Sequence, residues 1–465
     1  MPQSEPPPPV AIAEAAAARP AGSRVRPRSG SVREPRVVIL NQYYVPDVAS
    51  TGHLLHELAV DLVKRGFGVK VITSRPSYGP PETWQAAPYR EVSDGVEVRR
   101  AWTTRMSKDW IVGRAVNFFT FIVPLQLRMM VRAKRHDVHM YTTNPPFLGI
   151  IGAVVSLVRR HNYVLLLHDA YPQMAVWVGT IAKGGLIDRF WHAMNKLTYR
   201  RANQTIVLCQ AAKKLVCETY GIEPSRVHVV PNWADGHLLF PRPKGQSEFA
   251  REHGLLKPFT LLYSGNLGLY YEFETVLGAA ERLLGENFRL VFVGSGGRKA
   301  WLAEQIAKRN LTNTVLLPYV PFERLNESLN SCDASLVTIA KGIEGISFPS
   351  KLYSSLAVGK PIVALSEERS ELRELVSGQN VGHWFPLGDA EGLARGLRAM
   401  MADEQACRTQ GGNARALFEA RYAVDACVAR YAAVLRHADA TARGEASSSP
   451  VEPAFAGSDG HREVG

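Results

Sequence analysis

The chain has 465 residues, a formal net charge of +12, and 46% hydrophobic and 21% charged residues. This composition is that of a globular protein long enough for two or three domains, and it excludes a fibrous or wholly disordered chain. The charge is uneven, because residues 36–235 carry 25 basic and 14 acidic side chains and residues 236–437 carry 23 and 21. We therefore expect the first half to meet an anionic partner, such as nucleic acid, an anionic membrane or a phosphorylated substrate.

The chain ends and the cysteines bear on processing and compartment. Residues 1–34 are rich in Pro, Ala, Arg and Ser, and residues 438–465 are also polar, so we expect two disordered tails. The first of them lacks the apolar core of a secretory signal. Five scattered cysteines indicate free thiols in a reducing compartment rather than a disulfide framework or a zinc site.

Apolar runs alternate with helical patterns along both halves. In the first half, strands are predicted at 36–44, 68–74, 96–102, 137–143, 163–169 and 204–209, with a helix over 51–66. After a Pro- and Lys-rich connection, strands are predicted at 259–268 and 289–297, each including a glycine loop, and at 314–320, 334–340 and 361–366. Such alternation is typical of parallel sheets covered by helices.

The fold class that this pattern predicts is α/β, with two doubly wound, Rossmann-like domains that face a central cleft. We place the first domain at 35–235 and the second at 236–415. A helix over 416–437 is expected to pack back toward the first domain. In open α/β sheets, ligands bind at the carboxyl ends of the strands.

Two glycine loops follow strands of the second half, at residues 265–268 and 294–297. Glycine allows the backbone to approach a phosphate, and the next helix offers free N–H groups and a positive dipole end. Neither loop is a P-loop or a convincing dinucleotide fingerprint, and a structural turn is the alternative for each. The candidate residues for a nucleotide diphosphate are Gly265, Asn266, Gly268, Gly294, Gly296 and Arg298.

The most distinctive segment is KGIEGISFPSKLYSSLAVGKPIVA, at residues 341–364. A Gly-rich loop that contains Glu344 leads through Ser350 and Lys351 into a helix. Ser350 is placed to cap that helix, and Lys351 in its first turn is placed to meet a diphosphate. A solvated lysine is the alternative for Lys351.

This segment resembles the nucleotide-sugar loop of family 4 glycosyltransferases of the GT-B fold, in the branch that builds colanic acid, O-antigen and exopolysaccharide. Residues 37–78, 164–179 and 227–235 resemble that branch's opening strand and helix, mid-domain strand end and interdomain segment. The resemblance implies a retaining, metal-independent sugar transfer without a cofactor. The donor, a UDP- rather than a GDP-sugar, would bind the C-terminal domain, and the acceptor would bind the N-terminal domain.

The sequence departs from the family at four positions, which are Asn266, Tyr271, Ile346 and Ser354. The family has Arg and Lys at the first two and glutamates, which grip sugar and ribose hydroxyls, at the last two. Glu344 lies two residues from Ile346 and is the candidate substitute, while Ser354 cannot bind ribose as a carboxylate would. Lys351 then becomes the leading diphosphate contact, with Arg298 as the second candidate.

Further site candidates lie in the first half. His168 and Asp169 end an apolar strand, where a carboxylate can orient or deprotonate an acceptor hydroxyl and an imidazole can contact sugar or phosphate. The alternative is a structural pair. Thr51 and Gly52 open the first helix and Asn232 lies in the interdomain segment; we expect all three beside the cleft, with a helix cap or a linker anchor as the alternative.

Nine basic residues and one acidic residue lie between positions 99 and 135. We expect Arg128, Arg132 and Arg135 to share one helical face beside apolar residues, with Trp110 nearby, as at an anionic membrane interface. A polyprenyl-pyrophosphate-linked acceptor would need this placement, whereas a solvated basic face is the alternative. No recognised motif supports a nucleic-acid partner.

The leading hypothesis is a cytoplasmic hexosyltransferase, peripheral at the inner face of the plasma membrane, that acts on a lipid-linked or polysaccharide precursor. One alternative is a GT-B sugar-nucleotide-binding protein without transferase activity, because the two family glutamates are missing. A GT-B-fold nucleotide-sugar epimerase is the other.

Overall fold

The computed structural model describes residues 34–47, 49–77, 84–106 and 111–445, without the side chains of residues 111 and 114. The chain divides into two compact units. The first takes in the described part of residues 1–166 with 201–204 and 432–445, and the second takes in residues 167–200 and 205–431. Trp110 and most of both predicted tails lie outside the described residues.

One sheet has eight strands in the order β3-β4-β2-β1-β5-β6-β7-β8. They are β1 (Arg36–Leu40), β2 (Gly68–Ser74), β3 (Arg90–Ser93), β4 (Val96–Ala101), β5 (Asp137–Thr142), β6 (Tyr163–Leu167), β7 (Gln204–Val207) and β8 (Val227–Val229). β1 pairs in parallel with β2 and β5, and β3 pairs antiparallel with β4. β3 and β8 have four and three residues, which is too short for a periodic signal, so neither is predicted from the sequence.

The other sheet has six strands, all parallel, in the order β11-β10-β9-β12-β13-β14. They are β9 (Phe259–Ser264), β10 (Phe288–Val293), β11 (Thr314–Leu317), β12 (Ala334–Thr338), β13 (Ile362–Ser366) and β14 (Gly382–Pro386). The central strands β12 and β13 are buried along their whole length, as strands covered by helices on both sides must be. The missed strand β14 reads GHWFP, which has neither alternation nor a β-branched run.

The described helices are α1 (Ser50–Lys64), α2 (Ile111–Arg132), α3 (Gly149–Val158), α4 (Gln173–Trp177), α5 (Leu186–Arg201), α6 (Gln210–Tyr220), α7 (Glu248–Glu252), α8 (Glu274–Arg282), α9 (Lys299–Lys308), α10 (Leu325–Asn330), α11 (Lys351–Ala357), α12 (Glu371–Gly378), α13 (Ala390–Ala402), α14 (Glu404–Arg421) and α15 (Val424–Arg443). None of these described helices is both long and apolar enough to span a bilayer. The predicted class, two Rossmann-like α/β domains with parallel sheets, is confirmed.

The last helix corrects one predicted boundary. We expected a disordered tail from residue 438, but α15 continues to Arg443. Ala438 is fully buried and Asp439 is 7% exposed, so packing holds this turn in place despite its polar sequence. The tail prediction is therefore wrong for residues 438–443.

The two glycine loops, which follow β9 and β10, contact each other through their backbones. Gly265 N donates to Val293 O over 2.8 Å, and Leu267 N donates to Ser295 O over 2.9 Å. A Cβ placed on Gly294 would lie 2.0 Å from Gly265 O, and the φ of Gly294 is +146°. Only glycine fits there, because a side chain would collide with the neighbouring backbone and would also strain its own.

We therefore expect Gly294→Ala to lower the free energy of unfolding by about 2–4 kcal/mol, measured by urea denaturation. Gly285→Ala is the control, because Gly285 also has a positive φ of +82° but has no atom within 4 Å of its added Cβ. Gly285→Ala should lower the free energy of unfolding by only about 1–2 kcal/mol, which is the cost of a positive φ for a residue with a side chain. Equal losses in the two variants would contradict the role of the close approach.

Candidate functional site

A buried lysine ammonium lies at the centre of the candidate site. Lys351 begins α11 and is 8% exposed. Its Nζ lies 3.9 Å from the ring centroid of Tyr271 and 4.8 Å from that of Tyr263. Among the described residues, no carboxylate lies within 4 Å of it, and burial lowers its pKa from 10.5 to about 7. Two aromatic faces thus stabilise a cation that has no counter-ion in the described part of the chain.

The first glycine loop passes directly beside this lysine. A Cβ on Gly265 would lie 3.0 Å from Lys351 Cε and 3.5 Å from its Nζ. A Cβ on Gly296 would lie 2.5 Å from the side-chain oxygen of Asn266, so the second loop packs against the first. The predicted neighbourhood of the two loops and Lys351 is therefore present within the second unit.

The strand-end pair lies in the same neighbourhood. Asp169 accepts a hydrogen bond from the side chain of Ser347 and interacts electrostatically with Tyr271, whose ring faces Lys351. Burial raises the pKa of Asp169, and the bond from Ser347 opposes that rise. Burial also lowers the pKa of His168 to about 4, so this imidazole is neutral at neutral pH.

The loop that precedes α11 is tied to the segment that follows β6. Ala170 N donates to Ile346 O over 2.8 Å, and Trp177 Nε1 donates to Lys341 O over 2.9 Å. Together with the bond between Ser347 and Asp169, these contacts join residues 341–347 to residues 169–177 within the second unit. The position of Lys351 therefore depends on the segment that carries Asp169.

The carboxylate of Glu344 is engaged at the start of a helix. Its Oε1 accepts from Glu371 N over 2.9 Å, at the N-terminus of α12. The carboxylate of Glu371 in turn accepts from Ala211 N over 3.2 Å, in the first turn of α6. Burial raises the pKa of both carboxyls, that of Glu371 to about 7. Because each carboxyl satisfies helix N–H groups, Glu344 has a structural role whether or not it also meets the donor.

The remaining donor candidates have varied surroundings. Ser350 precedes α11 but makes no side-chain capping hydrogen bond, so the predicted cap is wrong: its backbone is already helical, whereas a capping residue is extended. The hydroxyl of Ser354 donates to Lys351 O over 3.0 Å. Arg298 stacks on Trp301, with its guanidinium carbon 4.9 Å from the ring centroid. Gly268 packs on Asn266, whose Nδ2 would lie 3.2 Å from an added Cβ.

Three expected cleft residues are placed as follows. Thr51 and Gly52 lie in the first turn of α1, in the first unit. A Cβ on Gly52 would lie 3.1 Å from Tyr44 Cα, so the helix start packs closely on that backbone. Asn232 lies in the second unit and is 8% exposed, and its Oδ1 accepts no hydrogen bond from the described residues.

The basic segment in the first unit forms an amphipathic helix. Arg128 and Arg132 lie on α2, but Arg135 lies beyond its end at Arg132, so the expectation of one helical face is correct for two of the three. The helix also presents an exposed stripe of apolar side chains at four-residue spacing, which we call the α2 stripe. Its members are Phe119, Val123, Leu127 and Val131, which are 68%, 52%, 64% and 75% exposed.

Some of the groups that shape the site were not identified from the sequence. The sequence marks Tyr271 only as a replacement for a family lysine, and it does not mark Tyr263 or Ser347. No sequence signal marks an aromatic ring as the neighbour of a particular lysine, because β9 and α11 lie almost 90 residues apart. The resemblance to the family offers a partial signal, since the ammonium of Lys351 lies against the ring of Tyr271, at the position where the family has its own lysine.

Two family models match the chain over most of its length. "Glycosyl transferase 4-like domain" matches residues 51–233, and "Glycosyl transferases group 1" matches residues 246–417. These matches and the fold define the chain as a GT-B glycosyltransferase. It belongs to family 4, as the resemblance implied.

Related proteins agree with this membership at modest identity. WbjE of Pseudomonas aeruginosa, a glycosyltransferase by assignment, is 24% identical over 405 residues, which span 86% of this chain and 98% of that one. WcaI of Escherichia coli K12, assigned as a colanic acid biosynthesis glycosyl transferase, is 24% identical over 349 residues, or 73% of this chain and 85% of that one.

Solved structures share the fold. Sucrose-phosphate synthase from Thermosynechococcus elongatus has a TM-score of 0.68 at 16% identity and covers 88% of this chain and 100% of its own. HepE of Anabaena, solved in complex with UDP, has a TM-score of 0.64 at 17% identity and covers 86% of this chain and 100% of its own.

The lowered pKa of Lys351 predicts how stability depends on pH. Between about pH 7 and 10.5 the unfolded chain holds a proton on Lys351 that the folded chain has lost, so the free energy of unfolding should rise with pH in this window. We expect the contribution to be at most about 1.4 kcal/mol per pH unit.

Urea denaturation of the wild type and of Lys351→Met between about pH 7 and 10.5 measures the contribution of Lys351, as the difference between the two proteins in how the free energy of unfolding changes with pH. The rise should be smaller in Lys351→Met, because methionine has no proton to lose. Parallel curves for the two proteins would show that Lys351 titrates as it does in the unfolded chain.

Proposed function

We propose that this protein transfers a sugar, with retention of configuration, from a nucleoside diphosphate sugar to a lipid-linked precursor of a cell-surface polysaccharide. The observation that carries the proposal is the buried, uncompensated ammonium of Lys351 beside the first glycine loop. A buried cation without a partner costs free energy, and an anionic ligand at this position offsets that cost. A diphosphate is such a ligand, and its negative charge grows as the sugar bond breaks.

In this proposal, Lys351 and the glycine loops stabilise the leaving diphosphate. The ammonium lies in a site shielded from water, where an electrostatic contact is stronger than in solvent. The backbone at Gly265 is close to Lys351 Nζ, so both can contact the same phosphate group. The cationic side chain thereby takes the part that a metal ion plays in other transferases, and metal independence is part of the proposal.

Asp169 and His168 are the candidates for contacts with the acceptor. Their assignment is supported by the electrostatic interaction of Asp169 with Tyr271, whose ring lies against Lys351 Nζ. A carboxyl with a raised pKa is suited to orient an acceptor hydroxyl and to receive its proton. The neutral His168 can donate or accept a hydrogen bond to sugar or phosphate oxygens without adding charge.

The relatives suggest the class of donor and acceptor. HepE was solved with UDP and with UDP-glucose, and WcaI is assigned to colanic acid biosynthesis. We extend both to this chain as proposals: the donor is a uridine diphosphate sugar, and the product belongs to an exopolysaccharide or O-antigen pathway. Its acceptor is then a polyprenyl-pyrophosphate-linked intermediate, which requires contact with the cytoplasmic face of the membrane.

A binding protein without transferase activity is the second candidate function. The carboxylate of Glu344 caps α12 and the hydroxyl of Ser354 bonds within α11, so neither is free to replace the family's glutamates without rearrangement. Release of UDP separates the two functions, because a binding protein retains the intact nucleotide sugar. A nucleotide-sugar epimerase would instead convert the donor into its isomer or free sugar in the absence of any acceptor.

The transfer is tested by incubating the purified protein with a panel of UDP- and GDP-sugars and a membrane extract, and by measuring release of the nucleoside diphosphate. Lys351→Ala should lower the rate by about 10²–10³-fold, because a contact with the leaving group is lost. Lys341→Ala is the matched control. Lys341 is an exposed lysine in the loop before α11, and its one described contact is made by its backbone carbonyl, which the substitution keeps. If no donor yields a free nucleoside diphosphate, the proposal that this protein is a transferase is refuted.

The α2 stripe and the neighbouring arginines support a membrane surface for the acceptor. An exposed apolar row flanked by basic side chains is the pattern of a helix that lies in the headgroup region. Contiguous apolar exposure of this kind also marks interaction sites on soluble proteins in general. We propose that α2 lies in the plane of the membrane with its stripe toward the acyl chains.

Leu127→Gln combined with Val131→Gln should weaken binding to both neutral and anionic vesicles by roughly tenfold or more, because two apolar side chains no longer enter the lipid. Cosedimentation with the vesicles measures the change. Leu256→Gln combined with Leu284→Gln is the control, since these exposed leucines of the second unit lie outside the stripe. Equal binding by both double variants would exclude the stripe as the membrane contact.

A further inference from the structure

A cluster of basic side chains lies on one face of the eight-stranded sheet, in the first unit. Arg90 and Arg99 are directly opposite each other in the antiparallel pair of β3 and β4. Lys70 is paired with Glu97, two residues before Arg99, so Lys70, Glu97 and Arg99 share this face. Arg128, on α2, interacts electrostatically with Lys70, Arg90 and Arg99.

The carboxylates near the cluster do not balance it. Glu97 Oε2 lies 3.1 Å from Arg36 Nη2 and 4.0 Å from Lys70 Nζ. Asp137 interacts with Arg36 and Lys70. In the described part of the chain, no carboxylate lies within 4 Å of Arg90, Arg99 or Arg128, and we call these three residues with Lys70 the sheet-face cluster.

Holding like charges together in this way costs free energy. Like charges directly opposite each other on neighbouring strands are destabilising, as in the pair of Arg90 and Arg99. Burial, together with the charges of Arg99 and Arg36, lowers the pKa of Lys70 to about 8, and the side chain is 13% exposed. An anion bound at the cluster would offset these costs, and several cationic donors in one cluster suit a phosphate.

The sheet-face cluster adjoins the α2 stripe. Arg128 belongs to the cluster and follows Leu127 of the stripe directly. The guanidinium of Arg159 donates to the carbonyls of Met130 and Val131 over 2.7 and 3.0 Å, which joins the end of α3 to the end of α2. The exposed Leu157 and Val158 at that end of α3 therefore extend the apolar surface. An apolar surface beside a phosphate-binding cluster is complementary to a phospholipid, which has apolar acyl chains and a phosphate in its headgroup.

We propose that the sheet-face cluster of Lys70, Arg90, Arg99 and Arg128 binds the phosphate of an anionic phospholipid headgroup while the α2 stripe enters the same leaflet. This inference rests on the membrane attachment in the proposed function and adds a defined lipid site to it. A nucleic acid would also meet the positive charge, but it would leave the adjoining apolar surface exposed to water.

The test compares binding of the full chain to vesicles of phosphatidylcholine alone and of phosphatidylcholine with phosphatidylglycerol. The wild type should prefer the anionic vesicles, and the preference should weaken with salt. Lys70→Gln combined with Arg99→Gln should lose roughly tenfold to thirtyfold of that preference. Its binding to neutral vesicles should stay that of the wild type, because the α2 stripe is unchanged.

Two controls separate a defined site from diffuse attraction. Lys257→Gln combined with Lys308→Gln removes the same charge from exposed positions of the second unit and should keep the preference. Lys70→Arg combined with Arg99→Lys conserves the charge and should also keep it. Melting temperatures show whether each variant is folded. We expect Lys70→Gln with Arg99→Gln to melt no lower than the wild type, because repulsion among the basic side chains of the cluster is relieved.

The inference is overturned if Lys70→Gln with Arg99→Gln keeps the preference of the wild type, or if the second-unit control loses as much. Release of UDP in a detergent-solubilised assay is measured in parallel. Failure of vesicle binding with normal UDP release would overturn the lipid site and leave the transferase. If the wild type releases no UDP but still prefers anionic vesicles, the proposed transferase activity is overturned and the lipid site stands.

Discussion

The contact between the ammonium of Lys351 and the rings of Tyr263 and Tyr271 is the interaction on which the candidate site depends. A lysine that is 8% exposed remains available as a cation only while its surroundings stabilise the charge. The rings offset part of the cost of burial, which still lowers the pKa of Lys351 to about 7. A neighbouring carboxylate would instead hold the lysine as a closed ion pair. The close approach of Gly265, and of Gly294 behind it, follows from the same need, because any side chain there would displace the lysine or the loop.

Much of the fold could be predicted because its main elements carry simple patterns. β1, β2 and β12 are short segments rich in apolar and β-branched residues, and α1 has a clear apolar face. The elements that were missed, such as β14, are short and depend on their neighbours in the sheet rather than on their own composition. The end of α15 was missed for the same reason, since tertiary packing of Ala438 overrides a polar local sequence.

The site could be predicted at the level of motifs but not of contacts. The order of the glycine loops and of the segment around Lys351 is written in the sequence, and the structure brings those parts together. The role of Glu344 was open in the sequence, because nothing local indicates that its carboxylate reaches the start of α12. The excess of positive charge in the first half pointed to an anionic partner, yet only the pairing of β3 with β4 places Arg90 opposite Arg99.

The contacts between residues 341–347 and residues 169–177 have a consequence for the exchange of segments among relatives. One of them joins Ala170 N to Ile346 O, and another joins the indole N–H of Trp177 to Lys341 O. Both use a backbone carbonyl of residues 341–347, so this loop tolerates many side chains but not a change of length. If residues 341–347 were replaced in a chimaera by a longer loop from a relative, the hydrogen bonds that join this loop to residues 169–177 would be lost. In the proposed function, the candidate donor residues of one segment and the candidate acceptor residues of the other would then be inherited as one block, and recombination between relatives would keep the two segments as a pair.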